Sequence, residues 1–451
     1  YVILALFAPL ALAQAFIVLP YEFGDEDLLF AAVRYTAEYH ELPPPLLENT
    51  YGYRQQSGQP PLFYILGALV IAPFDTSDFG AGPTASPLWA VGIPYTPDQF
   101  PYHTTYFNHP ATDRPPYSGS IAALQTLRVF NVLVSAATLV FVYLAVYRAA
   151  PVTWPRDWLA AGATACFGFM VKYIALAGVA RNDNLANLFG AAAIYAAVRY
   201  FLAEDADRSR PVWHRAGLMG LLAGLAVLSK LTAGTVAAVL GLIVVVETWR
   251  ESRPHPPPPS PYMERGSRGA QRTISALGAT AGAAGVYLAA AGLAFGWWPL
   301  RNWMLYRDPL MFKPHAHFNV HFADVPWRGA LYDLYNLGIS TWSEVMWSGL
   351  RIPEWISWLT FVMLGAALVG LIQFLWRRRP ALILRPPLPQ GEGEIDRGLK
   401  PPAQPLRENR GATYGPGMVL RMAILFLGMV AATIFWARDT GLTDGRFMYP
   451  A

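Results

Sequence analysis

The chain has 451 residues, of which 54% are hydrophobic and 14% are charged, and its mean hydropathy is +0.28. A soluble domain usually carries about 25% charged residues, so this composition argues against a soluble globular protein. The net charge of +4 does not indicate a nucleic-acid partner, because the basic residues lie in loops between apolar runs. The single cysteine, Cys166, excludes a disulfide framework and a cysteine-based metal site.

Long apolar runs predict an all-α polytopic membrane protein. A helix needs about 20 mostly apolar residues to cross a bilayer, and the runs predict about nine or ten such helices. Ser229 and Lys230 interrupt the stretch 213–249, which therefore predicts two helices joined by a turn. The predicted spans are 3–20, 121–147, 158–178, 184–203, 213–229, 231–249, 273–298, 354–376 and 418–436.

The two ends of the sequence predict a piece of a longer protein. The chain begins at Tyr1 without an initiator Met, inside an apolar run. It ends on the segment 447–451, which is typical of the start of a further hydrophobic helix.

The distribution of Lys and Arg predicts the orientation of the helices. Cytoplasmic loops carry an excess of these residues, which assigns 148–157, 204–215, 250–272 and 377–417 to the cytoplasm. The loop 21–120 holds eleven Asp and Glu but three Arg, and alternation places it outside. The other segments predicted on the outer side are 179–184, the turn at Lys230, 299–353 and 437–446.

This pattern divides the chain into five regions. They are a transmembrane core at 1–249 with the outer loop 21–120, a cytoplasmic Pro/Arg-rich connector at 250–272, a helical region at 273–376 with the outer loop 299–353, a basic Pro-rich cytoplasmic loop at 377–417, and a final segment at 418–451 that holds one helix and the start of another.

The apolar segment between Pro61 and Pro73 is too short to span a bilayer. If it crossed the membrane, the arginine-rich loops 148–157 and 204–215 would face outward. We therefore predict a helix that lies in the outer interface.

Two polar motifs on the predicted outer side could carry chemistry. The acidic motif 25–27, Asp-Glu-Asp, follows the first span and precedes an amphipathic run. Carboxylates are also favoured at a helix N-terminus by the helix dipole, so a purely structural cap is an alternative. The motif 59–64, Gln-Pro-Pro-Leu-Phe-Tyr, predicts a rigid turn into the interfacial helix, and prolines are ordinary at such a position.

Two further motifs combine carboxylates with cations. The motif 181–184, Arg-Asn-Asp-Asn, lies between apolar runs and is also compatible with a plain turn. The tail 444–450 carries Arg446 at the mouth of the coming helix. Such outer cations could reach lipid headgroups or bind a phosphate. The others are Lys230, Arg301 and Arg307.

A histidine cluster in the loop 299–353 could ligate a divalent metal. His315, His317 and His321 have a spacing that metal sites use, but no Glu lies beside them. We assign no metal ligands.

Together the four motifs resemble those of the GT-C superfamily of membrane glycosyltransferases, which includes bacterial aminoarabinose and mannosyl transferases that use polyprenyl-phosphate sugars. These proteins share an acidic pair after the first span, a Pro-Pro-Leu-Tyr-like turn and an Asp on the second outer loop. The matching residues here are Asp25, Glu26, Pro60, Pro61, Leu62, Phe63, Tyr64 and Asp183.

Three more stretches, 220–232, 301–309 and 445–451, are similar to a bacterial group of largely uncharacterised predicted membrane proteins in that superfamily. Gln59 departs from the pattern, because the transferases commonly have His or Lys before the two prolines. The resemblance implies a GT-C-like helical bundle whose large outer loop carries interfacial helices.

The resemblance also implies an inverting transfer of a sugar from a polyprenyl-phosphate donor at the outer face of the inner (plasma) membrane. Asp25 is then the expected base, with Glu26 as the alternative and Asp183 as a residue that orients the acceptor. The expected ligands of the donor phosphate are Arg446, Lys230 and Arg301. The expected substrate contacts are Gln59, Tyr64, Asn182 and Asn184.

No cofactor is expected beyond the lipid-linked donor, and the acceptor could be a glycan, a lipid or a protein. Two alternatives to a transferase remain open at this point. One is a glycolipid transporter or flippase, although the sequence has no convincing internal repeat. The other is a non-catalytic subunit of a membrane complex that retains the GT-C scaffold.

Overall fold

The computed structural model describes residues 1–318 except 47, 49, 81, 85–106, 151, 153, 204 and 253–266, and it does not describe the side chains of 267–272, 315, 316 and 318. Within these residues all the regular secondary structure is helical, and there is no β-strand. The predicted spans 354–376 and 418–436 lie outside the described residues, as do Arg446 and His321.

The described α-helices follow the predicted runs closely. In chain order they are α1 Val2–Ile17, α2 Glu26–Tyr39, α3 Leu62–Ile71, α4 Gly119–Ala149, α5 Arg156–Gly168, α6 Val171–Ala177, α7 Asp183–Ala197, α8 Val212–Ser229, α9 Gly234–Ser252, α10 Ser267–Ala291, α11 Trp297–Tyr306 and α12 Phe312–Phe318.

Among the described residues, five helices are long and apolar enough to cross a membrane: α4, α7 with the π-helical turn Val198–Leu202, α8, α9 with the 3-10 turn before it, and the continuous helix Thr273–Tyr306. The pair α5 and α6 would add a sixth span. The shorter helix α1 covers most of the first predicted span. The chain is therefore an all-α polytopic membrane protein, as the sequence predicts.

One predicted span is not a straight helix. The run 158–178 forms α5 and α6, whose axes differ by 69°. The break follows Gly168, and glycine loses more backbone entropy in a helix than any other residue. Gly168 packs against Leu139 of α4, where a Cβ would approach within 3.0 Å of a leucine methyl. The break thus accompanies a close contact between helices.

The turn predicted at Ser229 and Lys230 is confirmed. Helix α8 ends at Ser229, and Lys230 has an extended backbone before the next helical turn begins. The short apolar segment after Pro61 also forms a helix, α3. Its location in the interface stays a prediction.

The basic loops meet at one end of the bundle. Arg148 and Arg156 both reach Asp205, at 3.2 and 3.4 Å. Nearby in the chain, Arg215 of α8 pairs with Glu251 of α9 at 2.7 Å. The loops 148–157 and 204–215 and the start of 250–272 therefore share one end, in agreement with the alternation of the spans.

Glycines bring α8 and α10 into close contact. A Cβ on Gly220 would lie 2.2 Å from the carbonyl oxygen of Tyr287, and one on Gly224 would lie 2.7 Å from that of Ala291. Small residues allow transmembrane helices to pack backbone to backbone. Because neither glycine has a side chain, these two residues, one helical turn apart, allow the short distance between α8 and α10.

Replacing Gly220 tests this contact. We expect Gly220→Ala to lower the apparent melting temperature in detergent, because overpacking a tight contact costs about 1–3 kcal/mol. Gly282→Ala is the matched control on α10, because nothing lies within 4 Å of its Cβ. A Gly220→Ala protein as stable as the control would contradict the packing.

Candidate active site

A buried ion pair joins the acidic motif to the long helix α4. Glu26 and Arg128 both have fully buried side chains and approach to 2.5 Å. The two carboxylate oxygens of Glu26 also accept from the backbone N–H groups of Ala180, at 2.8 Å, and Tyr21, at 3.1 Å. Glu26 is thus surrounded by donors from three separate segments.

Arg128 uses its whole guanidinium group. Its Nε and Nη2 donate to the carboxylate of Glu26. Its Nη1 donates to the carbonyls of Ala15 and Val18, at 2.8 and 2.7 Å, and its Nη2 donates to that of Leu19 at 3.1 Å. These five bonds equal the number of N–H donors on an arginine. They also satisfy carbonyls that the end of α1 would leave without partners.

Asparagines hold the loop that faces this ion pair. Asn131, one helical turn after Arg128 on α4, donates from Nδ2 to the carbonyls of Val179 and Arg181, at 2.6 and 3.0 Å. Asn184 donates to the carbonyl of Leu176 at 2.9 Å. The loop between α6 and α7 is therefore fixed against α4 and against the start of α2.

A chain of alternating charges results. Arg181 lies 3.5 Å from the carboxylate of Asp25 and 3.3 Å from that of Asp183, and it donates to the carbonyl of Gly24. Asp183 also forms an ion pair with Lys230, at the end of α8. The structure thus brings together Asp25, Asp183 and Lys230, which lie far apart in the sequence. We call Asp25, Arg181, Asp183 and Lys230 the charge chain.

Asp25 is the member of the charge chain that solvent reaches best. Its side chain is 24% exposed, against 1% for Asp183, 3% for Arg181 and 8% for Lys230. It caps the start of α2 with a left-handed backbone, φ 64°. Asp25 therefore offers the accessible carboxylate of this cluster.

Asp27 lies beside it on the first turn of α2. Burial raises the pKa of Asp27 to about 6, and the negative charge of Asp25 adds to this effect, while Arg54 opposes it. Carboxyl groups with such shifted pKa values are common in active sites. Asp27 is therefore a second acid to include in any test.

The remaining expected substrate contacts lie within the protein. The hydroxyl of Tyr64 is buried and donates to the carbonyl of Gln56 at 2.8 Å, and Asn182 and Asn184 are almost fully buried. This burial argues for roles in folding. Gln59 is half-buried at the end of a 3-10 turn, one residue before the prolines.

Arg301 lies on α11, where the structure places it in a different environment from the charge chain. It donates to the side-chain oxygen of Asn302 at 3.2 Å and stacks near Tyr306. Within the described part of the chain, no group of three or more His, Cys, Asp or Glu side chains could hold a metal ion.

An apolar groove runs along α8, α9 and α10. Its volume is about 510 Å³, and its lining includes Gly224, Val227, Gly241, Tyr287 and Phe295. Val227 lies one turn before Lys230 on the same helix, so the groove extends toward the charge chain. Its size falls within the range of ligand pockets, about 300–1,000 Å³.

Residues 83–253 match the family described as dolichyl-phosphate-mannose-protein mannosyltransferase, a glycosyltransferase family of the GT-C type. The match confirms the GT-C resemblance. No curated protein matches the chain. The matched segment contains Arg128, Arg181, Asp183 and Lys230, whereas the acidic motif lies before it.

The sequence reasoning missed Arg128 of this candidate site and gave no separate role to Arg181. Arg128 lies inside the predicted span 121–147, where a charged residue is expensive and usually functional. That position was a usable signal. Arg181 belongs to a recognised motif, but its contacts with residues 24 and 25 depend on the fold.

The Glu26–Arg128 pair predicts a large loss of stability when one partner is removed. Arg128→Met leaves a buried carboxylate uncompensated, which costs about 3–5 kcal/mol. The double variant Glu26→Leu, Arg128→Met should recover part of the loss. Glu38→Gln is the control, because it breaks an exposed pair with Arg34 on the same helix. Equal denaturation midpoints for Arg128→Met and Glu38→Gln would contradict the account.

A histidine joins two parts of the loop 21–120 close to the acidic motif. His109 contacts Glu22 through Nε2 at 2.9 Å and Asp113 through Nδ1 at 2.8 Å. Both partners accept as carboxylates, so both ring nitrogens must donate, which requires the protonated imidazolium. Burial by itself lowers the pKa of His109, but the bonds to the two carboxylates outweigh it and raise the pKa above its usual value.

The stability from this contact is present below pH about 6.5, the usual histidine pKa, and is lost as the pH rises through the raised pKa. We expect the apparent melting temperature to fall as the pH rises from about 6.5 through the raised pKa of His109. The variant His109→Gln should have a lower melting temperature at low pH and a smaller change of melting temperature with pH. His214→Gln, at an exposed histidine, is the control. An unchanged profile in His109→Gln would refute the assignment.

Proposed function

We propose that this transferase moves a sugar from a polyprenyl-phosphate donor to an acceptor at the outer face of the inner (plasma) membrane. The observation that carries the proposal is the charge chain, which presents one accessible carboxylate beside two buried cations at the end of apolar helices. The name of the matched family makes mannose the first sugar to test.

Asp25 acts as the general base in this proposal. The acceptor hydroxyl oxygen forms a bond to the anomeric carbon while the bond from that carbon to the phosphate oxygen breaks. Asp25 takes the hydroxyl proton, and the electron pair leaves on the phosphate. Attack opposite the leaving group inverts the anomeric centre, as in inverting glycosidases.

Glu26 is poorly suited to this role. Its carboxylate accepts two hydrogen bonds from Arg128 and two from backbone N–H groups, and solvent does not reach it. A base must approach the acceptor hydroxyl within hydrogen-bond distance. Glu26 instead holds the turn on which Asp25 lies.

Cations stabilise the negative charge that develops on the leaving phosphate. Lys230 is the candidate nearest to Asp25 along the charge chain, and its buried ammonium group forms an ion pair with Asp183. Asp183, whose side chain is 1% exposed, keeps Lys230 in place through this ion pair. Arg301 and Arg446 are the further candidates for the phosphate.

The groove supplies a place for the lipid tail. Its lining is mostly apolar, with many Gly and Ala residues beside the larger Tyr287 and Phe295, and it lies among helices that are long enough to cross the membrane. A polyprenyl chain in this groove would leave its phosphate near the end of α8, where Lys230 lies. Lipid tail, phosphate and base would thus follow one another from the groove, past Lys230, to Asp25.

Transfer from a radiolabelled polyprenyl-phosphate sugar to membrane acceptors tests the proposal. We expect Asp25→Asn to lower the rate by about 10²–10⁴-fold, the usual contribution of a general base. Asp27→Asn is the matched control on the same turn and should keep most of the activity.

The reverse result, with Asp27→Asn inactive and Asp25→Asn active, would assign the base to Asp27. Full transfer by both variants would remove the mechanism. Substrate flipping without transfer in reconstituted vesicles would favour a transporter instead.

A further inference from the structure

The guanidinium group of Arg181 contacts three consecutive residues of the turn before α2. It lies 5.9 Å from the ring of Phe23, donates to the carbonyl of Gly24, and pairs with the carboxylate of Asp25 at 3.5 Å. A cation within about 6 Å of an aromatic ring is attracted to its face. Arg181 therefore holds the ring, the backbone and the carboxylate of one short turn.

This turn needs external support. Asp25 adopts φ 64°, a left-handed conformation that only a few per cent of non-glycine residues show. The side chain of Asp25, the N-cap residue, forms no capping hydrogen bond to α2. A backbone of this kind persists where its surroundings determine it, and Arg181 is a large part of those surroundings.

Arg181 is itself fixed. Its side chain is 3% exposed, its carbonyl accepts from Asn131 of α4, and its Nε pairs with Asp183 at 3.3 Å. The group that contacts the turn is thus anchored to α4 and to the start of α7. Both of these anchors lie outside α2.

We propose that Arg181 is a positioning residue that aims the carboxylate of Asp25 at the acceptor. The proposal rests on the proposed function, in which Asp25 is the base. Its guanidinium nitrogens contact the turn that holds Asp25 on one side and the carboxylate of Asp183 on the other. The role of Arg181 is therefore to set the position of Asp25 relative to Asp183.

The planar fork of arginine is required for this role. Gly24, Asp25 and Asp183 are contacted by different nitrogens of the same group: Nη1, Nη2 and Nε. A lysine ammonium is a compact point charge and cannot present donors in this geometry. Arg181→Lys should therefore keep the charge but lose the alignment.

Steady-state transfer kinetics separate this role from phosphate binding. We expect Arg181→Gln and Arg181→Lys to lower kcat about 100-fold, because a displacement of about 1 Å at a catalytic group has that effect. The KM for the lipid-linked donor should stay within about threefold of its original value. Guanidinium ion added to Arg181→Ala should restore part of kcat.

Arg301→Gln provides the contrast, since loss of a phosphate ligand should raise the KM for the donor. A raised donor KM with unchanged kcat in Arg181→Gln would make Arg181 a phosphate ligand and overturn the proposal. Wild-type kinetics in Arg181→Lys would overturn it as well.

Carboxyl labelling tests whether Arg181 holds Asp25 without any transfer assay. The rate at which a water-soluble carbodiimide and glycine ethyl ester modify Asp25 is measured by mass spectrometry, with the exposed Asp205 as reference. We expect Arg181→Gln to increase labelling of Asp25 severalfold, with labelling of Asp205 unchanged. Unchanged labelling of Asp25 overturns the proposal. If Arg181→Gln increases the labelling of Asp25 but the wild-type protein transfers no sugar, Arg181 still positions Asp25 and the proposed function is wrong.

Discussion

A glutamate and an arginine that are buried among apolar helices must pair with each other, because an unpaired charge there is very costly. Nearly every polar atom of the two side chains must also have a hydrogen-bond partner. Glu26 and Arg128 meet this condition where four segments join: the end of α1, the start of α2, the middle of α4 and the loop before α7. The position of the candidate site follows from this requirement. Asp25 lies next to Glu26, and Arg181 follows Ala180.

The architecture was largely predictable because membrane spans have a strong apolar signal. The polar pair Ser229 and Lys230 in an apolar stretch predicted where α8 ends and the next helix begins. The bend between α5 and α6 did not follow, because Gly168 is tolerated in many straight helices and its packing on Leu139 is a tertiary contact. The spans after residue 318 and the orientation of all the spans in the membrane remain predictions.

The site was predicted in part. Asp25, Asp183 and Lys230 were all selected from the sequence, and the fold brings them together. The sequence could not distinguish the roles of Asp25 and Glu26, because adjacent carboxylates at a helix start look alike until burial separates them. Arg181 was visible as part of a polar turn, but its contact with Gly24 joins residues far apart in the chain.

The proposed function requires the acidic site to lie on the membrane face opposite the arginine-rich loops. It is tested most directly by labelling single cysteines with a membrane-impermeant maleimide in a Cys166→Ala background. Glu41→Cys, just after α2, and Trp154→Cys, between α4 and α5, are both at exposed positions. The account predicts that intact cells label position 41, and that position 154 reacts only after the membrane is permeabilised. Labelling of both positions in intact cells, or of position 154 alone, would contradict it.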